Sequence, residues 1–160
     1  MKKKYILTVT LNPVIDKTIL IPDFKIGKDY RICDAVFSAG GKGINVSRVL
    51  KSLKKETCVT GFLPQDGETF FKNELKREKI TNDFFIVPGK VREHLTICDA
   101  QKKKITRILE RGPSVTARLS AEFQKKYKTL LVNARAVVIS GRSIPGAPAS
   151  FCARLVQDAH

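Results

Sequence analysis

The sequence has little that would support metal or disulfide chemistry. Its four cysteines, Cys33, Cys58, Cys98 and Cys152, lie far apart with no C-x-x-C pair, and His94 and His160 are the only imidazoles. That spacing argues against a zinc site and against a disulfide framework. It predicts reduced thiols, with Cys58 and Cys98 buried in strands. No apolar run approaches the roughly 20 residues needed to span a bilayer, so no membrane partner is expected. The basic Met1-Lys2-Lys3-Lys4 and the run Tyr5-Ile6-Leu7-Thr8-Val9-Thr10-Leu11 resemble a signal peptide only briefly. The run is short and β-branched, and it reaches Asn12-Pro13 without a small-residue cleavage site. A first strand in a cytoplasmic protein is the expectation. Repeats, low-complexity tracts and linkers are also missing, as are the Walker pattern G-x-x-x-x-G-K-[ST] and the dinucleotide fingerprint G-x-G-x-x-G.

Acidic residues are scarce: 15 stand against 30 lysines and arginines, a formal net charge of +15. Such a charge steers anions towards the protein. The lysines are dispersed in short groups (Lys2 to Lys4, Lys54-Lys55, Lys102 to Lys104, Lys125-Lys126). No basic helix, zinc finger or aromatic RNA-reading signature accompanies them, so nucleic acid is not the expected partner. Phosphorylated metabolites and nucleotides are anions too.

What remains is an ordinary globular composition: 160 residues, 42% hydrophobic and 28% charged, enough for one domain with a real core. Alternation and β-formers predict strands at residues 5–11, 18–21 and 30–37, then a short apolar strand at 57–62. Val46, Val49, Leu50 and Leu53 fall at i, i+3, i+4 and i+7, one face of a helix. Residues 69–78 read as an amphipathic helix with Phe70, Phe71 and Leu75 facing the core. Strands follow at 83–87, 93–99 and 105–109. A helix at 119–131 turns Leu119, Phe123, Tyr127 and Leu130 to one side, and a buried-type strand at 136–140 precedes a last helix from about Ala149. Strands alternating with helices imply an α/β fold with a parallel sheet, the early and middle short strands forming a small sheet beside it.

Four segments could carry chemistry. In Ser38-Ala39-Gly40-Gly41-Lys42-Gly43-Ile44-Asn45, glycines between strand and helix let a ligand approach the backbone at a helix N-terminus. Taken alone, a tight structural turn explains them equally well. Asn12-Pro13-Val14-Ile15-Asp16 follows the first strand, where α/β folds bind ligands, and a carboxylate there can accept from sugar hydroxyls. A turn-forming Asp is the plainer reading. Arg92 in Pro88-Gly89-Lys90-Val91-Arg92 has the geometry for phosphate, although one Arg among so many cations is more often a surface residue. Ser140-Gly141-Arg142-Ser143-Ile144-Pro145-Gly146 places small polar groups after a buried strand.

In combination these segments resemble a known family. Thr8-Val9-Thr10-Leu11-Asn12-Pro13-Val14-Ile15-Asp16-Lys17-Thr18 is similar to the opening of bacterial 1-phosphofructokinases and tagatose-6-phosphate kinases. Ala39-Gly40-Gly41-Lys42-Gly43-Ile44-Asn45-Val46-Ser47-Arg48-Val49-Leu50 resembles the glycine signature of the wider PfkB, ribokinase-like family. Thr60-Gly61-Phe62-Leu63, Ile108-Leu109-Glu110-Arg111-Gly112-Pro113 and Val138-Ile139-Ser140-Gly141 occur in that subfamily's order.

The resemblance implies a ribokinase-like parallel sheet flanked by helices with a small β-sheet lid. Residues 1–160 would be the N-terminal half of the kinase domain, with lid strands at about 17–38 and 83–109. It implies that Asp16, Gly40, Gly41, Lys42 and Asn45 hold sugar hydroxyls, that Arg92 binds the phosphate already on the substrate, and that Ser140 lines the pocket. Lys28 and Arg31, in the lid strands, would also reach the substrate, and lids would pair in a homodimer. Lys90-Val91 departs from the family's usual Glu-Thr before Arg92, and Arg142 stands where a second Ser is commoner.

The family's catalytic Asp in G-x-G-D, its ATP site and an N-x-x-E motif associated with metal and phosphate belong to the other half. No catalytic residue or metal ligand is therefore assigned here, and ATP and Mg2+ are expected mainly from beyond His160. The implied reaction converts fructose 1-phosphate or tagatose 6-phosphate to the bisphosphate. An inactive, truncated sugar-phosphate-binding remnant is the alternative, and a basic nucleic-acid binder comes third.

Overall fold

A computed structural model describes residues 4–160; Met1, Lys2 and Lys3, part of the basic N-terminal run, lie outside the described residues. Strand β1 (Tyr5–Val9) is the centre of the molecule. Its period-two pattern buries both faces rather than one. Leu7 and Val9, with Leu11 beyond the strand, enter one apolar core. Thr8 and Thr10, also buried, face the opposite layer, where hydrogen bonds satisfy them: Thr8 Oγ1 lies 2.7 Å from Ser47 Oγ, and Ser47 Oγ lies 2.7 Å from Thr57 Oγ1. Buried hydroxyls without such partners would be costly.

The main sheet runs β10 (Ala134–Ile139), β1, β4 (Thr57–Thr60), β6 (Thr81–Asn82), and every pairing in it is parallel. Helices α1 (Lys42–Ser52) and α2 (Glu68–Arg77) join one core layer through Ile44, Phe71 and Leu75. Helices α3 (Ala117–Leu131) and α4 (Phe151–Ala159) close the other through Phe123, Tyr127, Phe151 and Leu155. Thr116 caps α3 by accepting from the Leu119 N–H at 3.2 Å. Burial pushes the Tyr127 hydroxyl up to about 12, helped by nearby Asp158; Tyr127 donates to the Leu155 carbonyl at 3.0 Å. Cys58 is buried, and burial raises its thiol to about 11, so it is an unreactive core residue. Cys98 is only half-buried, and Cys33 is exposed.

A second sheet, the lid, runs β3 (Ala35–Gly40), β2 (Val14–Leu20), β8 (Arg92–Asp99), β9 (Lys104–Leu109). The chain enters it directly from β1 and leaves it directly into α1. One lid face has its own small core of Ile19, Ile21 and Ile97, covered by Phe24 and Tyr30. Buried Asp99 ties the lid's far end, accepting from the backbone N–H groups of Asp23, Phe24, Gln101 and Lys102 at 2.9–3.1 Å.

Several expectations need correction. Residues 57–62 are not one strand: pairing breaks at Gly61, and β5 (Phe62–Pro64) pairs instead with β7 (Phe85–Val87) in a separate two-stranded sheet. The 83–87 segment therefore lies outside the lid sheet, whose second arm starts at Arg92. The lid's first arm starts earlier than residue 17, at Val14. Residues 30–34 are irregular, so Arg31 and Lys28 belong to an exposed loop and not to a strand. On α1 the apolar stripe is not the core face. Val49 and Leu53 are 58% and 61% exposed, while Gly43, Ile44 and Ser47 are buried. Close packing of α1 on β1 needs small residues, and those carry no hydrophobic period. Among the described residues, no helix is long and apolar enough to cross a membrane.

Arg48 joins α1 to α2. Its guanidinium donates to both carboxylate oxygens of Glu78 at 2.8–2.9 Å, to the Ala39 carbonyl at 2.8 Å and to Asn45 Oδ1 at 2.7 Å. Replacing it by Met (Arg48→Met) strands these acceptors and should cost about 1–2 kcal/mol, against less for Glu78→Gln. Urea unfolding of the three proteins checks this, and equal midpoints would refute it.

The Asp99 clamp predicts a local effect. Burial raises its carboxyl pKa, but the N–H groups of Lys102, Asp23 and Phe24 outweigh burial and hold it below the ordinary value. A carboxyl so lowered stabilises the fold at neutral pH, and that contribution disappears as the pH falls through its folded pKa. Asp99→Ala should speed amide exchange at Asp23, Phe24, Gln101 and Lys102 at neutral pH while leaving β1 and β4 protected. Unchanged exchange at those four amides would count against the clamp.

Candidate functional site

The site is built where the chain passes between main sheet and lid. β3 ends at Gly40 and α1 begins at Lys42, with Gly41 between them at φ 138°, a conformation that favours glycine. A Cβ on Gly40 would collide with the Asp16 carboxylate, and one on Gly41 with the Thr10 methyl. The turn is therefore pressed between a lid strand and β1. Thr10 Oγ1 accepts the Ile44 N–H at 3.0 Å and seats the helix start on the sheet. The N-cap residue Gly41 has no side chain to offer, and no acidic residue lies in the first turn of α1, so with the Ile44 amide taken by Thr10 the amides of Lys42 and Gly43 present partial positive charge.

Asp16 is not a turn residue after β1, contrary to the plainer reading of its segment. The turn is Asn12-Pro13, and β2 has already begun at Val14, so Asp16 sits within the lid, paired with Ser38 on one side and His94 on the other. Side chains opposite one another share a face, which puts Asp16, Ser38 and His94 on one side of the lid. Arg92, two residues before His94, is on the same side. Arg92 donates to the Asn12 carbonyl at 2.7 Å, the Pro13 carbonyl at 3.3 Å, the Glu110 carbonyl at 3.4 Å and His94 Nε2 at 3.1 Å. Burial lowers its pKa; Asp16 opposes that shift and Arg142 adds to it. Since Arg92 can only donate, Nε2 must accept, and the ring proton lies on Nδ1, 3.5 Å from Asp16 Oδ1.

Asn45 is exposed one turn into α1. Its Oδ1 accepts from Arg48, and its Nδ2 has no partner among the described residues. Ser140, at the end of β10, donates its backbone N–H to the Val9 carbonyl at 3.2 Å. With Lys42, Asn45, Val46, Val49 and Leu50 it lines a groove of about 420 Å3. The structure thus gathers the predicted residues into two adjoining groups. Asp16, Gly40 and Arg92 meet where the lid reaches the glycine turn, and Lys42, Asn45 and Ser140 line the groove beside α1. Lys28 and Arg31 are exposed, away from both groups in the loop before β3.

Three participants were not foreseen. In the sequence His94 stands out only as a possible metal ligand, although its place two residues after Arg92 in a strand puts it on Arg92's face. Arg48, three residues after Asn45, is its helical neighbour. Asn12 holds Arg92 by its carbonyl, donates Nδ2 to the Arg111 carbonyl at 3.0 Å and leaves its buried Oδ1 unpartnered. Its place in an Asn-Pro turn gave no hint of those bonds.

Residues 9–160 match the model of the pfkB family carbohydrate kinases. The fold is similar to that of a possible 1-phosphofructokinase from Thermotoga maritima, at 39% identity and a TM-score of 0.89, covering 97% of this chain and 50% of that one. Phosphofructokinase-2 from Escherichia coli, in its complex with fructose-6-phosphate, is 22% identical with a TM-score of 0.85, over 99% of this chain and 52% of that one. A ribokinase from Giardia lamblia is 16% identical with a TM-score of 0.74, over 98% and 50%. The chain spans about half the length of each of these structures. With the glycine turn, the lid and the parallel sheet in the arrangement described, the chain belongs to the pfkB family of carbohydrate kinases.

Proposed function

We propose that this chain supplies the sugar-phosphate pocket and lid of a cytoplasmic, ATP-dependent ketohexose phosphate kinase. Its substrate would be fructose 1-phosphate or tagatose 6-phosphate, converted to the bisphosphate. One juxtaposition supports the reading above all others: a lid carboxylate, Asp16, lies directly over a glycine turn at a helix start, with Arg92 on the same lid face. Asp16 can accept from adjacent sugar hydroxyls while Asn45 Nδ2 donates to another. Gly40 and Gly41 let the sugar approach the backbone, and Lys42 and Ser140 border the same space. Arg92, with Arg142 facing it, supplies charge for the phosphate already on the sugar. To meet that phosphate bidentately, Arg92 would exchange its longest bonds, those to Pro13 and Glu110. Lys28 and Arg31 are carried as further contacts that require the 21–34 loop to move in.

The residues present do not suit a resident Mg2+. The described residues hold no cluster of three or more metal-ligating side chains, and the Asp16 carboxylate stands beside Arg92 and His94, not beside further carboxylates that would share a cation. ATP and Mg2+ are proposed to be held mainly by the half of the longer family members that this chain does not match. Phosphoryl transfer requires nucleotide, metal and acceptor hydroxyl to be positioned together. These 160 residues are accordingly proposed to bind the acceptor without phosphorylating it.

A lid-to-lid homodimer is part of the same proposal. The lid face that carries Asp16 and His94 continues outward into Leu20, Val36, Ile105 and Leu109, each 59–70% exposed. Sedimentation equilibrium should detect self-association that Val36→Asp weakens about tenfold or more. A monomer at all concentrations would remove this part of the reading.

For the pocket itself, calorimetry should detect fructose 1-phosphate or tagatose 6-phosphate binding more tightly than unphosphorylated fructose. Asp16→Ala should weaken binding roughly 10- to 100-fold through lost charged hydrogen bonds, with no bisphosphate formed on adding ATP and Mg2+. Absence of binding by either sugar phosphate would sink the function.

A further inference from the structure

His94 lies between the two groups assigned to the substrate and touches both. Its Nε2 is 3.1 Å from Arg92 Nη1 and its Nδ1 is 3.5 Å from Asp16 Oδ1. We infer that His94, in its neutral form only, is the positioning residue that sets the sugar-binding carboxylate and the phosphate-binding guanidinium relative to each other. The inference rests on the sugar-phosphate reading of this site.

The bonding leaves one consistent protonation pattern. Arg92 has no acceptor, so the Nε2 facing it must carry a lone pair, and the single ring proton is then on Nδ1, the nitrogen 3.5 Å from Asp16 Oδ1. In that state the ring accepts from Arg92 and stands in polar contact with Asp16, so that it spaces the two side chains across the lid. A second proton on Nε2 removes the acceptor and sets two cations 3.1 Å apart. Arg92 loses its partner, while the imidazolium is drawn to Asp16 and competes with sugar hydroxyls for the carboxylate.

The groups around the ring favour the neutral form. From its own strand Arg92 disfavours the charged ring, and Arg142 stands beyond Arg92. From β2, Asp16 favours the charged ring, and so does Glu110 after β9, through its backbone and its charge. Burial is the largest influence, and with Arg92 it outweighs these two and lowers the His94 pKa below its ordinary value. The bridge therefore stands at neutral pH and is lost as the pH falls through that lowered value.

Asparagine offers both roles without the titration: its Nδ2 can stand where Nδ1 stands and donate to Asp16, and Arg92 moves inward to donate to its Oδ1. The experiment compares wild type, His94→Asn and His94→Leu by calorimetry with fructose 1-phosphate and tagatose 6-phosphate at about pH 7.5 and about pH 5.5. At the higher pH His94→Asn should bind within about threefold of wild type, and His94→Leu about tenfold or more weaker. The substrate's own phosphate protonates near pH 6 and weakens every protein alike. The wild-type affinity should fall further than that of His94→Asn, by less than about tenfold at pH 5.5, because a pKa held below the ordinary value leaves part of the ring neutral there. Equal pH slopes for those two, or full affinity in His94→Leu, would overturn the inference.

A second arm needs no ligand. Ring nitrogen resonances should show the Nδ1–H form of His94 at neutral pH, with a titration midpoint that Arg92→Met raises and Asp16→Asn lowers. An Nε2–H ring, or a midpoint indifferent to both changes, refutes the bridge. If neither sugar phosphate binds wild type at any pH, the functional reading fails and the resonances alone decide the bridge.

Discussion

The Asp16 carboxylate occupies the space a side chain at Gly40 would need, and that constrains everything around it. β2 and β3 pair with Val14 opposite Gly40 and Asp16 opposite Ser38, so the carboxylate leans across the last residue of β3 as the chain turns into α1. Only a residue without a side chain permits that approach. Because Gly41 is at the same time pressed against Thr10, the lid, the glycine turn and β1 meet within three consecutive positions. Moving any one of them displaces the other two. Backbone packing thereby brings the carboxylate over the helix start, and His94 beside it sets its relation to Arg92.

The cost of this arrangement falls on polar groups that the packing buries, and the neighbouring residues meet it. Thr10 gives up its hydroxyl to the Ile44 amide, Thr8 shares its own with Ser47, and Arg48 supplies donors to the Ala39 carbonyl behind the turn. Arg48 reaches there because Glu78, at the C-terminal end of α2, anchors its guanidinium from the opposite side. The ion pair is half-exposed and of modest worth as a pair. Its value lies in orientation: it commits Asn45 Oδ1 and so decides which end of that amide faces the groove.

How far this was legible in the sequence depends on the kind of information involved. β1, α2 and α3 were readable because Leu7 and Val9, Phe71 and Leu75, and Phe123 and Tyr127 are large apolar residues at the spacing of their elements. A turn between strand and helix was readable from Gly40 and Gly41, whereas a substrate role for them and for Asn45 came only from the family resemblance. α1 shows the limit. Val46, Val49, Leu50 and Leu53 have the helical period, yet the face against β1 is Gly43, Ile44 and Ser47. Hydropathy records an apolar stripe without recording what covers it, and small or hydroxylated residues that permit the closest packing leave no hydrophobic period at all.

Asp16 and His94 show a second limit. In sequence they are 78 positions apart, and nothing local distinguishes a carboxylate that begins a lid strand from one that ends a turn. Register decides it: pairing of β2 with β8 puts His94 opposite Asp16, and a shift by one residue would send both Arg92 and His94 to the other face. The parallel pairing of β2 with β8 depends in turn on the chain between them, which must form α1, β4 and α2 before it can return beside β2. The chemistry of the site is therefore a consequence of completed topology. A strand-period reading of Arg92 and His94 can place them together, but only the folded lid can say that a carboxylate stands across from them.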